Sequence, residues 1–125
     1  MTTRIPQFFV CLLITVSAAT ASDYCVVVQS ATYSDAAWKP VADALVAKHE
    51  GELLRFDSDV SEVLPELAKR HPRYTCFVAT RQQANRGFVA AVHRLTRQLD
   101  DDPYTDTLWG ILTGYDAANA LAIGN

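Results

Sequence analysis

A side-chain nucleophile needs a base beside it and a metal needs ligands at a fixed spacing, so the cysteines, histidines and clustered acids come first. Beyond the first 21 residues the cysteines are Cys25 and Cys76, and the histidines are His49, His71 and His93. Neither cysteine has a histidine near it in sequence, a Cys-x-x-Cys partner or a zinc-ligand spacing. Each stands near the start of an apolar run, and both read as free thiols within strands. His49 and His71 fall at helix ends, where a cation offsets the dipole, and His93 sits beside Arg94 on a helix. Asp100, Asp101 and Asp102, with Asp106 nearby, are oxygen ligands of the kind calcium takes. They lack the spacing and central glycine of an EF-hand loop and read as a solvated helix end and loop. These residues give no catalytic group, metal site or cofactor site.

The elements that must position any chemistry are legible from apolar periodicity. Four segments rich in β-branched and aromatic residues read as strands: 24–30, 52–56, 74–80 and 107–114. Between them, residues 35–49 place Trp38, Val41, Ala42, Leu45 and Val46 on one helical face, with Ser34 as a cap and Gly51 just past the end. Pro40 requires that this helix either kink or start near Lys39. A second helix is predicted over Ser61 to Arg70, with Pro65 in its first turn and Pro72 stopping it. A third runs from about Asn85 to Leu99, repeating Phe88, Val92, Leu95 and Leu99, and a short fourth spans Asp116 to about Ile123.

Strand followed by helix, repeated four times, is the pattern of right-handed βαβ units in a parallel sheet covered on both faces. The unbroken Val26-Val27-Val28 agrees, because parallel strands are buried on both sides. The expectation is a small three-layer α/β domain, Rossmann-like or flavodoxin-like, with strand order 2-1-3-4. In such a sheet ligands sit beyond the C-terminal strand ends, where the order reverses between the first and third strands. That crevice would be edged by Ser30, Thr32 and Tyr33 on one side and by Thr80, Arg81 and Gln82 on the other. A dinucleotide is not expected there, because the first strand-to-helix turn, residues 29–38, contains no glycine. The turn at 113–119 has Gly114, but Asp116 places a negative charge where an anion would bind. Gly110 and Gly114 read instead as sites of close helix packing or a backbone bend.

The N-terminus has the three parts of a secretory signal: Arg4, the apolar run 8–16, and the small-residue tail 17–22. Cleavage after Ala21 fits Ala19-Thr20-Ala21 and sends the product to the periplasm or the exterior. The nine-residue run is too short to cross a membrane, which takes about 20 helical residues, so no stable anchor is expected. Export makes a disulfide chemically feasible, although geometry between adjacent parallel strands seldom suits one. Residues 22–125 then form one domain with ten Lys plus Arg against fourteen Asp plus Glu, and without a basic stripe nucleic acid is not an expected partner.

The segment 103–125, with Asp106, Trp109, Gly110 and Gly114, resembles part of the gingipain-like cysteine peptidases of the caspase-like clan. In those proteins an acidic residue precedes an aromatic-bearing strand, a glycine turn follows, and the chain passes to an "IGR"-type stretch, where this chain reads Ile123-Gly124-Asn125. The preceding strand–helix alternation, with 73–79 ahead of a long helix, is similar to their first, non-catalytic α/β subdomain, so the resemblance spans most of residues 23–125. It implies that the catalytic histidine and cysteine lie on later strands of a second subdomain, and no catalytic residue carries over to this chain. The resemblance implies either the front part of such a peptidase or a stand-alone scaffold. Strand 107–114, apolar on both faces, is expected at an open sheet edge that favours self-association or docking of a missing C-terminal subdomain. The competing expectation is a module that binds a small ligand or a partner in the crevice between strands one and three.

Overall fold

The computed structural model describes residues 22–125. The expected signal segment lies outside the described residues. Four strands, β1 (Tyr24–Gln29), β2 (Glu52–Phe56), β3 (Tyr74–Val78) and β4 (Leu108–Leu112), form one all-parallel sheet in the order β2-β1-β3-β4. This is the small three-layer α/β fold read from the sequence. Helices α1 (Ser30–Ser34), α2 (Lys39–His49), α3 (Leu64–Arg70), α4 (Arg86–Leu95) and α5 (Ala117–Gly124) connect and cover it.

The sheet is centred on β1 because its residues Cys25 to Val28 are fully buried and apolar, which only an interior parallel strand accommodates. Alternation along the strand divides them between two cores. Cys25 and Val27 face α3 and α4, packing with Leu67, Phe77, Val92 and Leu95. Val26 and Val28 face α2 and α5, packing with Val41, Leu45, Val78 and Ala120. Each such buried Val or Leu contributes about 1.5–3 kcal/mol relative to exposure.

Local chemistry sets the helix limits. Pro40 lies in the first turn of α2, so the helix starts at Lys39. The expected cap, Ser34, instead ends the five-residue α1, its hydroxyl donating to the Ser30 carbonyl at 2.9 Å. At the other end of α2 the left-handed residue is Glu50, at φ 50°, rather than the glycine. Gly51 suits a different constraint: a Cβ there would lie tightly against the Tyr24 carbonyl oxygen, at 3.1 Å.

The second helix, expected as one piece, is divided into a 3-10 turn (Val60–Val63) and α3. Asp59 and Glu62 form a capping box that starts the turn, and Pro65 fits the beginning of the α-helix that follows. The third helix stops four residues earlier than expected. Thr96 is buried and its hydroxyl donates to the Val92 carbonyl at 3.0 Å, a local bond that competes with helix continuation.

Candidate functional site at the strand switch point

β1 connects leftward to β2 through α2, and β2 connects back across the sheet to β3, so the order reverses beside the C-terminal end of β1. Two amide side chains meet there. Gln83 Nε2 donates to Gln29 Oε1 at 3.2 Å, and Gln29 Nε2 donates to the Asp57 carbonyl at 2.9 Å. Gln29 therefore ties the loop after β2 to the loop after β3. Beside this pair opens a depression of about 310 Å³, floored by the stacked rings of Phe56 and Phe88, 6.4 Å apart, and rimmed by Ser58, Asp59 and Asn85. Gln83 Oε1 is a buried acceptor without a hydrogen-bond partner at this site.

The rim is held by backbone donors. The Glu62 carboxylate accepts N–H bonds from Asp57, Ser58 and Asp59 at 2.9–3.0 Å, which lower its pKa. Asp59 accepts from Ser61 N–H at 2.7 Å, and its pKa is lowered by that contact. Asn85 caps α4 by accepting from Phe88 N–H at 3.0 Å. The rim groups are thus committed to the fold, while the glutamine pair and the aromatic floor face the depression.

None of the six residues expected to edge the crevice lines this depression. Thr32 is buried in α1, and the Ser30 carbonyl serves Ser34. Tyr33 turns toward α2, donating to Asp43 at 2.9 Å, with the cations of Lys39 and Arg55 within 5.5 Å of its ring. Thr80 accepts from the Gln83 N–H at 3.2 Å, and the Gln82 carbonyl accepts from Asn85 at 3.5 Å. Arg81 lies over the Tyr115 ring at 4.9 Å, on the α5 side. The structure places the six around the strand ends without converging them on one cavity. Gln29 and Gln83, one residue outside the expected set on each side, are the pair that meets.

The thiols sit on opposite faces of the sheet. Cys25 belongs to the core under α3 and α4, whereas Cys76 packs against the core under α2 and α5, so both are free. Burial pushes the Cys25 thiol up to about 11 and raises Cys76 as well. Cys76 is half-buried, lining an open depression over its end of β3 and β4. There Tyr24, whose hydroxyl is pushed up to about 12 chiefly by burial, borders an open apolar trough with Tyr74, Leu108 and Gly110.

The acidic loop brings His71, Asp100 and Asp106 together, one ligand atom of each lying within 4.8 Å of the others. Asp106 accepts from the Leu99 N–H and Asp100 from the Asp102 N–H, both at 2.9 Å, so these carboxylates close the loop between α4 and β4. Among the described residues no helix is long and apolar enough to cross a membrane. Comparison with known proteins gives no matching family model, no matching curated protein and no matching solved structure.

Proposed function

We propose that residues 22–125 are an exported, non-catalytic α/β scaffold, equivalent to the front subdomain of a gingipain-like cysteine peptidase. The observation that carries this reading is the placement of the two thiols. They are held protonated on opposite faces of the sheet, Cys25 fully buried, and neither position serves a nucleophile. The residues behind the resemblance have structural work. Asp106 closes the loop before β4, Trp109 packs edge-on against Phe77 at 6.5 Å, and Gly114 seats the first turn of α5. A Cβ on Gly114 would lie 2.6 Å from the Ala120 nitrogen.

The test uses the exported chain, purified and assayed on arginyl, lysyl and mixed peptide substrates. The expected product begins at Ser22 and shows no turnover. Turnover lost in Cys76→Ala with the fold intact would overturn the reading, and Met1 retained on a cytoplasmic product would overturn export.

A second reading, a module that binds a small ligand or partner at the switch point, is favoured by the glutamine pair and the unpartnered Gln83 acceptor beside the aromatic-floored depression. A donor-bearing neutral ligand suits that chemistry. Binding that survives Gln83→Leu would remove this reading.

A further inference from the structure

We infer that β4 is a self-complementary edge that pairs antiparallel with β4 of a second copy about a two-fold axis through Gly110. This inference is independent of the peptidase resemblance and rests on the backbone of one strand.

Among the described residues β4 pairs with β3 on one side and is the outermost strand on the other. The Leu108 N–H donates to the Arg73 carbonyl at 2.9 Å, and the Leu112 carbonyl accepts from the Ala79 N–H at 3.0 Å. Residues 108, 110 and 112 therefore aim their backbone groups inward. Strand alternation leaves the N–H and C=O of Trp109 and Ile111 aimed outward. With the axis at Gly110, Trp109 of one copy stands opposite Ile111 of the other as a hydrogen-bonded pair, twice. All four outward groups of the strand are then satisfied, by four hydrogen bonds.

The side chains fit the same register. Trp109 meets Ile111, an aromatic and β-branched cross-strand pair of the favourable kind. On the opposite face Leu108, 63% exposed, meets Leu112, and Gly110 meets Gly110 at the narrow, non-hydrogen-bonded position. The strand sequence Leu-Trp-Gly-Ile-Leu has no charge or proline, the devices that normally keep an edge from pairing. The trough beside it, with Tyr74 and Cys76, continues the exposed apolar surface across β3.

Topology favours an antiparallel occupant. α2 carries the chain toward the β2 side on one face, and α3 and α4 carry it toward β4 on the other face. α5 lies on the α2 face. A right-handed crossover through α5 leads toward the β2 side, so a parallel strand on the free edge of β4 would need the disfavoured left-handed connection. A two-fold copy supplies an antiparallel strand with no connection at all.

Gly110 makes the inference testable, because a Cβ added there meets nothing within 4 Å. Sedimentation velocity of the purified chain is expected to show a dimer. Gly110→Lys and Gly110→Glu are each expected to sediment as folded monomers, since like charges then face each other across the axis. Mixing the two variants is expected to restore a dimer containing one of each. A monomeric unmodified chain, or a dimer that persists in both variants, would overturn the proposal. Circular dichroism of each variant separates loss of the dimer from loss of the fold. Peptide turnover is read separately, so failure here leaves the scaffold reading standing.

Discussion

The two edges of this sheet are built by opposite rules. β2, the edge on one side, is Glu-Leu-Leu-Arg-Phe, and its charged residues lie at the border: Glu52 pairs with Arg70 from α3, while Arg55 is exposed. Its apolar residues Leu54 and Phe56 point into the core. β4, the edge on the other side, has no charge, and Leu108 and Gly110 are open to solvent. One edge carries the charges that discourage further strand pairing, and the other lacks them. The contrast stands on either side of two largely buried central strands, β1 and β3.

The largest effect expected from probing this contrast is at Phe56, 3% exposed and stacked on Phe88. Phe56→Ala on the closed edge should cost about 3–5 kcal/mol in chemical denaturation, as cavity formation does. In the monomeric Gly110→Lys background, Leu108→Ala on the open edge should change stability by no more than about 0.5 kcal/mol, because little is buried there within one chain. Equal costs at the two sites in that monomeric background would show that β4 is covered within a single chain.

The two glycines around β4 come next. Gly114→Ala forces a Cβ against the backbone of α5 and should cost at least about 1–3 kcal/mol, measured by the melting midpoint. Within one chain Gly110→Ala has open space, and the fold of the single chain should gain up to about 0.5–1 kcal/mol, since alanine loses less chain entropy than glycine.

A small stability effect is also expected where the charges of β2 are removed. Glu52→Gln with Arg55→Thr breaks a half-exposed ion pair and should stay within about 1 kcal/mol of the parent. Its readout is assembly. With both edges bare, light scattering should detect species larger than a dimer, and an unchanged size would show that charge is not what closes β2.

The sheet order and the start of α2 were legible in the sequence because each has a strong local cause: the valine run in β1 and the position of Pro40. The 3-10 turn before α3 was less legible, since Asp59 and Glu62 cap by side-chain geometry that apolar spacing does not register. The end of α4 was missed for a related reason. Leu99 continues the apolar repeat and is buried, but it reaches the core from a loop held by Asp106. The Gln29 and Gln83 contact joins residues 54 positions apart, and nothing in either local segment distinguishes a meeting amide from a solvated one. Conversely, Ser30, Thr32 and Tyr33 read as crevice residues until α1 turns them into its own bonds and burial.

The central position of β1 has a consequence for the order in which the molecule assembles. It is the first strand of the described chain, yet it lies between β2 and β3, and Cys25, paired with Glu52, must wait for Thr75, fifty residues after it, to gain its second neighbour. During that interval Cys25-Val26-Val27-Val28 is a short, uncharged, β-branched run with one side unpaired, the kind of segment that stacks with copies of itself. Parallel pairing at such separation is slow, because loop closure precedes any return in contacts. The strand most protected in the finished sheet is therefore the one most vulnerable while the chain is being made, and arrival of β3 ends that vulnerability.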